Sequence, residues 1–206
     1  APAGTTGISL NASTLMYVIA ANNTGVGSNG VDLGIGRGAA LHVTAYNNAA
    51  DGFAAQPGGR GILMVGGLST NNGSDGVHIG GNGTMSNTVI GNYIGTDISG
   101  TAAISNTSNG VCIDSGASYN RIGGSTPGER NLISGNGSNG VEITGSGTMS
   151  NTVRGNHIGT DVSGTAALGN TRYGVAIRSR AQFNVIGGAT DGARNIISGN
   201  RFIGVQ

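Results

Sequence analysis

Nine carboxylates, three histidines and one cysteine are the side chains of this 206-residue sequence that can carry acid–base or nucleophilic chemistry. An enzyme that cleaves glycans with paired carboxylates needs those carboxylates close together. The acidic residues are instead spread thinly along the chain, at Asp32, Asp51, Asp75, Asp97, Asp114, Asp161, Asp191, Glu129 and Glu142. We therefore predict no catalytic residue and expect that the protein is not an enzyme.

Two pairs of these acids recur with the rest of the chain. Asp51 and Asp75 each precede a Gly-apolar pair, a position held by asparagine elsewhere, and we interpret them as turn formers. Asp97 and Asp161 occupy matching Asp-x-Ser-Gly-Thr segments 64 residues apart, and a residue that repeats with a scaffold usually belongs to it. Oxygen ligands in these segments leave calcium as an alternative, although one carboxylate per segment is few for that ion.

The nitrogen and sulfur ligands show no metal-binding spacing. His42, His78 and His157 are widely separated, and we expect all three at the surface. Cys112 is the single cysteine, which excludes an intrachain disulfide, and it lies at an outward-facing strand position with no histidine nearby in sequence. We expect a passive thiol, with a nucleophile as the alternative. No metal ligand and no cofactor-binding residue is predicted.

Composition excludes two classes of partner. Charged residues are 9% of the chain, lysine is absent and the net charge is +1. The chain therefore has no basic patch for nucleic acid or for an anionic membrane surface. No apolar stretch reaches the ~18 residues that a membrane-spanning helix needs. Low charge together with abundant Asn, Ser, Thr and Gly favours an extracellular location.

Glycine followed by an apolar residue marks a repeat. Residues 74–137 and 138–201 align without a gap. Each contains two such pairs, whose glycines are 34 residues apart, and the next pair follows 30 residues later. We call these glycines the coil anchors, and they are Gly30, Gly52, Gly76, Gly110, Gly140, Gly174 and Gly204. Each opens a strand of alternating pattern such as Gly-Val-x-Ile, which buries one face, and two further short strands follow before the next anchor.

Three strands per coil predict an all-β, right-handed parallel β-helix of about seven coils, formed by one domain over residues 1–206. Residues 1–29 are predicted to cap the helix or complete a coil, and 30–73 to form divergent coils. The two 64-residue repeats follow, and 202–206 begin the next coil. Asparagines precede the second strand at Asn87, Asn120, Asn151 and Asn184, and open the third at Asn92, Asn131, Asn156 and Asn195. Stacked once per coil, we expect them to form hydrogen-bonded amide ladders.

The motifs NxIGG, RNxISGN, GVxI and GNxIGTD resemble the repeat arrays of bacterial secreted parallel β-helix proteins. The resemblance is specific over residues 74–206, for example Asn131-Leu132-Ile133 within RNLISGN, and loose over 1–73. It implies a right-handed parallel β-helix outside the cell, and it carries no catalytic residue to this chain. Six Asn-x-Ser/Thr sequons are candidate glycosylation sites, although chance explains several in so Asn-rich a chain: Asn11, Asn22, Asn72, Asn82, Asn106 and Asn136.

The function predicted from these features is structural. The chain stops at Gln206 inside the first strand of a coil, and a second copy placed after it would put 32 residues between Gly204 and the next Gly30, within the anchor spacing. We therefore expect head-to-tail self-association into extracellular fibres, with an excerpt from a longer array as the alternative. The alternative function is a carbohydrate-binding or carbohydrate-cleaving β-helix, or an adhesin fragment that contacts surface glycans. The column Thr88, Arg121, Thr152 and Val185 shows no aromatic or acidic pattern that would favour it.

Overall fold

The computed structural model describes residues 7–206 and shows a parallel β-helix, which confirms the predicted all-β class. Three sheets, each of seven short parallel strands, form the walls of the helix. The first six residues of the predicted N-terminal segment 1–29 lie outside the described residues. Within the described range, no helix is long and apolar enough to cross a membrane.

Sheet one contains the strands that follow the coil anchors. Its strands in order are β1 (Ile8–Leu10), β4 (Val31–Leu33), β7 (Phe53–Ala55), β10 (Val77–Gly80), β13 (Val111–Asp114), β16 (Val141–Thr144) and β19 (Val175–Arg178). Neighbouring strands pair in register, so that Val77 lies beside Val111 and Val111 beside Val141. A given offset from the anchor glycine therefore becomes one column on the sheet.

Sheets two and three complete each coil. Sheet two contains β2 (Thr14–Met16), β5 (Ala39–Leu41), β8 (Leu63–Val65), β11 (Thr88–Ile90), β14 (Arg121–Gly123), β17 (Thr152–Arg154) and β20 (Val185–Ile186). Sheet three contains β3 (Ile19–Ala21), β6 (Thr44–Tyr46), β9 (Leu68–Thr70), β12 (Tyr93–Ile94), β15 (Leu132–Ile133), β18 (His157–Ile158) and β21 (Ile196–Ile197). Two 3₁₀ turns, Pro127–Glu129 and Asp191–Ala193, lie between sheets two and three.

Columns of branched aliphatic side chains fill the interior. In sheet one, the column of Val77, Val111, Val141 and Val175 is fully buried. Isoleucines two residues further along each strand form a second column, and sheets two and three each add one more. Each buried Val or Ile stabilises the fold by about 1.5–3 kcal/mol relative to an exposed one. Because side chains alternate along each strand, the residue between two inward-pointing neighbours points to the outer face of the sheet, where Ala54, Cys112 and Ala176 are nevertheless buried.

The coil anchors are glycines because successive coils approach closely there. A Cβ atom on Gly110 would lie 2.7 Å from the carbonyl oxygen of Gly140, and one on Gly140 would lie 2.7 Å from that of Gly174. The approach is similar at Gly30, Gly52, Gly76 and Gly174, while Gly204 has only ordinary contacts. A larger residue at the first six anchors would force the coils apart and break the ladder of backbone hydrogen bonds.

The ladder asparagines predicted from sequence lie in two continuous chains of hydrogen bonds. Along the first, Nδ2 of Asn87, Asn120 and Asn151 donates to Oδ1 of the next asparagine at 2.9–3.0 Å. The second runs from Asn92 to Asn195 in the same way. Backbone N–H groups donate to the same oxygens, so each amide satisfies polar groups that the turns would otherwise bury unpaired.

A third ladder includes three of the predicted glycosylation sites. It connects Asn48, Asn72, Asn106, Asn136, Asn170 and Asn200, each four residues before a coil anchor. Asn72, Asn106 and Asn136 are almost fully buried, and their Nδ2 atoms donate along the ladder. The structure thus argues against glycosylation at these three, because a glycan would break the ladder. The sequons at Asn11, Asn22 and Asn82 are exposed and stay predictions.

Candidate functional site

Sheet one gathers the acids that the sequence scatters. Five of the nine acidic residues lie on its outer face or at the entry to its strands, namely Asp32, Asp51, Asp75, Asp114 and Glu142. Coils stack at ~4.8 Å, so residues about 22 to 34 positions apart in the chain become neighbours across the sheet. Distance along the chain is therefore a poor guide to whether these carboxylates can act together.

His78 lies at the centre of this face, between two carboxylates. Its Nδ1 atom is 3.4 Å from Oδ2 of Asp51, and its Nε2 atom is 3.2 Å from Oδ1 of Asp114. Asp51 enters sheet one from the preceding coil, while Asp114 ends β13 in the following coil. The three side chains are 12% to 33% exposed, so they are partly desolvated but open to a ligand. We call Asp51, His78 and Asp114 the His78 cluster.

Gly80 provides the space in which two members of the cluster meet. It pairs with Asp114 in the sheet register. A Cβ atom on Gly80 would lie 2.5 Å from Oδ1 of Asp114 and 2.6 Å from Nε2 of His78. Any side chain at this position would separate the imidazole from the carboxylate, so the glycine determines the geometry of the pair.

The two carboxylates keep His78 protonated. Hydrogen bonds with Asp114 and then Asp51 raise the pKa of His78 to about 10, against the opposing effect of burial. The imidazolium is thus the dominant form at neutral pH. The bond with His78 in turn lowers the pKa of Asp114, so that side chain is a carboxylate. Asp75 behaves differently, since burial raises its pKa and favours the neutral acid.

Cys112 lies beside His78 on the next coil and is 7% exposed. Burial raises the pKa of the Cys112 thiol well above its ordinary range, with the Asp75 charge as the next cause. The thiol is therefore protonated in the free protein. Ligand atoms of His78, Cys112 and Asp114 lie within 4.8 Å of one another. These residues are far apart in the chain and show no metal-binding spacing, but His78 and Cys112 each lie two residues after a coil anchor, and that common offset makes them neighbours.

A shallow groove of about 430 Å³ runs over the His78 cluster. Its walls include Asp51, Ala54, Gln56, Pro57, His78 and Asp114. Ala54, whose side chain is small, lies beside His78 and leaves the floor of the groove low. Nε2 of Gln56 donates a hydrogen bond to Oδ1 of Asp32 at 2.9 Å. We call this feature the sheet-one groove. It is partly open to solvent, so a ligand can extend beyond the residues that line it.

The sheet-one groove carries a surplus of negative charge. Asp51 and Asp114 lie against one imidazolium, that of His78. The arginine of this face, Arg178, lies further along the sheet, where its Nε atom donates to Glu142 at 2.7 Å. That pair neutralises itself and leaves the charge in the groove unbalanced.

The other two histidines differ from each other. His42 is exposed and stacks on Tyr17 at 5.1 Å between ring centroids. His157 was predicted at the surface but is 3% exposed, because the segment that contains Val162 covers it. Burial, followed by the charge of Arg130, lowers the pKa of His157.

In the repeated Asp-x-Ser-Gly-Thr loops, where calcium was the alternative prediction, each carboxylate accepts hydrogen bonds from its own loop. Asp97 accepts hydrogen bonds from the Ser99 hydroxyl and from the backbone N–H groups of Thr101 and Ala102, which lower its pKa to about 2. Asp161 closes its own loop in the same way. Each carboxylate therefore stabilises a turn, and each loop brings one carboxylate.

The fold is similar to that of a known enzyme module. The chain matches the A-module of the mannuronan C-5 epimerase AlgE4 from Azotobacter vinelandii with a TM-score of 0.58 and 18% sequence identity. The match covers 97% of this chain and 56% of the module chain, so the protein spans just over half of that length. At this identity the likeness shows the fold alone. No protein-family model matches the chain, and no curated protein matches it.

This match overturns the prediction that the protein is not an enzyme, since the solved structure with the same fold is an epimerase module. That prediction relied on the scatter of acidic residues along the chain. Sheet one removes that basis by bringing five of them onto one face around His78. The parallel β-helix thus gives no ground for excluding catalysis.

Proposed function

We propose that the protein binds a polysaccharide along the sheet-one groove and modifies it by acid–base chemistry. The observation that carries the proposal is the His78 cluster, in which one imidazole contacts two carboxylates on the floor of an open groove. Structural turns do not need such an arrangement. A histidine between two carboxylates is typical of sites that hold or move a proton.

The cluster assigns a role to each member. Asp51 contacts Nδ1 and orients the ring, which directs Nε2 toward Asp114 and the groove. A sugar hydroxyl that displaces the Nε2–Asp114 contact would accept a hydrogen bond from Nε2–H and donate one to Asp114. Positioned groups of this kind contribute roughly 10²–10⁴-fold to a proton-transfer step.

Charge favours a particular class of glycan. Two carboxylates, Asp51 and Asp114, outnumber the one imidazolium and repel an anionic chain, so we propose a neutral or amino polysaccharide as the substrate. The matched epimerase is named for mannuronan, a polysaccharide, which supports carbohydrate as the ligand class. The negative charge of the sheet-one groove is a reason not to transfer that particular substrate to this chain.

A direct test compares neutral, amino and uronate polysaccharides as substrates. Binding is measured by affinity electrophoresis, and products are identified by mass spectrometry and proton NMR. We expect binding and turnover with a neutral or amino glycan, and at least a 100-fold loss of turnover in His78→Gln and Asp51→Asn. Thr152→Ala, on the outer face of sheet two, is the matched control and should keep full activity.

Two results would overturn the proposal. One is the absence of binding and of product with every glycan class in folded protein. The other is turnover that falls equally in His78→Gln and in the Thr152→Ala control, since the groove would then have no special role.

Secretion, bacterial origin and head-to-tail assembly stay predictions from the sequence. The fold match gives the fibre-forming role no support. Sedimentation velocity and electron microscopy of the purified chain test self-association, and a monomer at all concentrations would refute it.

A further inference from the structure

Three side chains with different ligand atoms converge on sheet one. His78 offers a nitrogen, Cys112 a sulfur and Asp114 an oxygen, and these atoms lie within 4.8 Å of one another. His78 and Cys112 are direct neighbours in the sheet register, and Asp114 is two residues beyond Cys112 on the same strand. The backbone of two paired coils thus positions all three.

We propose that His78 Nε2, Cys112 Sγ and Asp114 Oδ1 form a binding site for a divalent transition-metal ion of the zinc class. This proposal goes beyond the proposed function and does not rest on it. With the ion bound, Nε2 of His78 is a ligand and carries no proton, so the metal-bound form and the acid–base form of His78 are alternative states of the site.

The spacing fits a tetrahedral ion. Zinc bonds of about 2.0–2.3 Å to nitrogen, oxygen and sulfur place ligand atoms roughly 3.3–3.8 Å apart. His78 Nε2 and Asp114 Oδ1 are 3.2 Å apart, close to that separation. The thiol sulfur lies within 4.8 Å of both other ligand atoms, and ligation would draw it to the separation that zinc bonds require. Gly80 adds no side chain that would occupy this space.

Asp51 contacts the ring nitrogen of His78 that does not bind the ion. Histidine ligands commonly donate their other ring N–H to a carboxylate, which fixes the ring and makes the ligating nitrogen more basic. Nδ1 of His78 is 3.4 Å from Oδ2 of Asp51, which is the expected arrangement. Three protein ligands leave the fourth position of a tetrahedral ion open to the sheet-one groove, where water or a sugar hydroxyl would bind.

The ligand set selects the ion. Calcium and magnesium prefer oxygen ligands, whereas a thiolate and an imidazole favour zinc or cobalt. Binding also balances protons and charge. The Cys112 thiol and the His78 imidazolium each release one proton, Asp114 is already a carboxylate, and the ion brings two positive charges in place of the two protons lost.

Cobalt(II) is the probe, because a thiolate ligand produces a charge-transfer band in the near ultraviolet. The full chain is treated with a chelator and titrated with cobalt, then with zinc. We expect one equivalent of cobalt to produce the band and intense visible transitions, and zinc to remove both. Calorimetry in buffers of different ionisation enthalpy should count two protons released per ion.

Variants separate the site from chance binding. Cys112→Ser should abolish the charge-transfer band, while Asp51→Asn should weaken affinity 10- to 100-fold and keep the band. His42→Gln, at an exposed histidine outside the site, should bind as the unchanged protein does. Circular dichroism confirms that each variant is folded, and zinc should slow alkylation of Cys112, the single thiol.

The proposal fails if cobalt produces no thiolate band in folded protein, if Cys112→Ser keeps it, or if His42→Gln loses it. These outcomes are distinguishable from failure of the proposed function, since none involves a glycan. If the protein binds metal but no polysaccharide, the metal-site proposal stands and only the proposed polysaccharide-modifying function is refuted.

Discussion

Replacing Gly80 with alanine should separate His78 from Asp114 without disturbing the β-helix. The new Cβ atom would lie 2.5 Å from Asp114 Oδ1 and 2.6 Å from His78 Nε2, so both side chains must move. Loss of this charge-assisted hydrogen bond costs about 1.5–3 kcal/mol when buried, and about 1 kcal/mol here because both side chains are more than a quarter exposed. Lower entropy of the unfolded alanine chain offsets about 0.4–1 kcal/mol. Stability at neutral pH should therefore change by less than about 1 kcal/mol.

In Gly80→Ala, the pH dependence of folding stability should change more than the stability at neutral pH does. The pKa of His78 is about 10 in the folded protein and has an ordinary value of 6.5, so its stabilising effect is complete below pH 6.5 and disappears as the pH rises to 10. After discounting for solvent screening, this loss is about 1–2 kcal/mol. In Gly80→Ala, the largest cause of the raised pKa is removed, so the pKa of His78 should fall toward 6.5 and the alkaline loss should shrink.

The assay is two-dimensional NMR of the imidazole nitrogens across pH 5–11, combined with urea unfolding at pH 6, 8 and 10. Gly128→Ala is the matched control, because a Cβ atom there has no neighbour within 4 Å. The reasoning is refuted if Gly80→Ala keeps a His78 pKa near 10, or if both variants shift it equally.

Three further predictions concern the scaffold. Ile113→Ala should lower the free energy of unfolding by about 2–5 kcal/mol in urea, because the side chain is fully buried; less than 1 kcal/mol would refute tight packing. Asn106→Ala should cost about 2–4 kcal/mol by leaving ladder donors and acceptors unpaired, whereas exposed Asn82→Ala should be neutral. Since burial lowers the pKa of His157, stability should fall as the pH drops from 6.5 through that pKa, and His157→Tyr, which copies the equivalent Tyr93, should remove this dependence in acid unfolding curves.

The fold was predictable because its determinants are local and repeated. Alternation of valine and isoleucine after Gly76, Gly110, Gly140 and Gly174 identifies the buried face of four sheet-one strands. The spacing between anchors then gives the number of coils, whatever the length of the connecting loops. Asparagine ladders follow the same logic, although the ladder through Asn106 was read only as sequons, because that motif drew attention away from its constant offset to the anchors.

The candidate site was not predicted, because its geometry lies between coils. Offsets from the anchors place His78 and Cys112 in one column, so their proximity could have been read from the sequence. The contacts of Asp51 and Asp114 with the two ring nitrogens depend on side-chain torsions and on the space above Gly80. No single coil carries that information, and the column that bears on the carbohydrate alternative in the sequence, which begins at Thr88, lies on sheet two and not on sheet one.

The close backbone contact at the coil anchors affects how any ligand must bind. Because buried side chains and backbone carbonyl oxygens both crowd the anchor glycines, the strands of sheet one have little room to spread or tilt around a ligand. A ligand that binds this face would therefore have to adapt its own conformation to a rigid protein surface. The association rate should then depend on the conformational flexibility of the ligand. The protein should bind it without a closing motion.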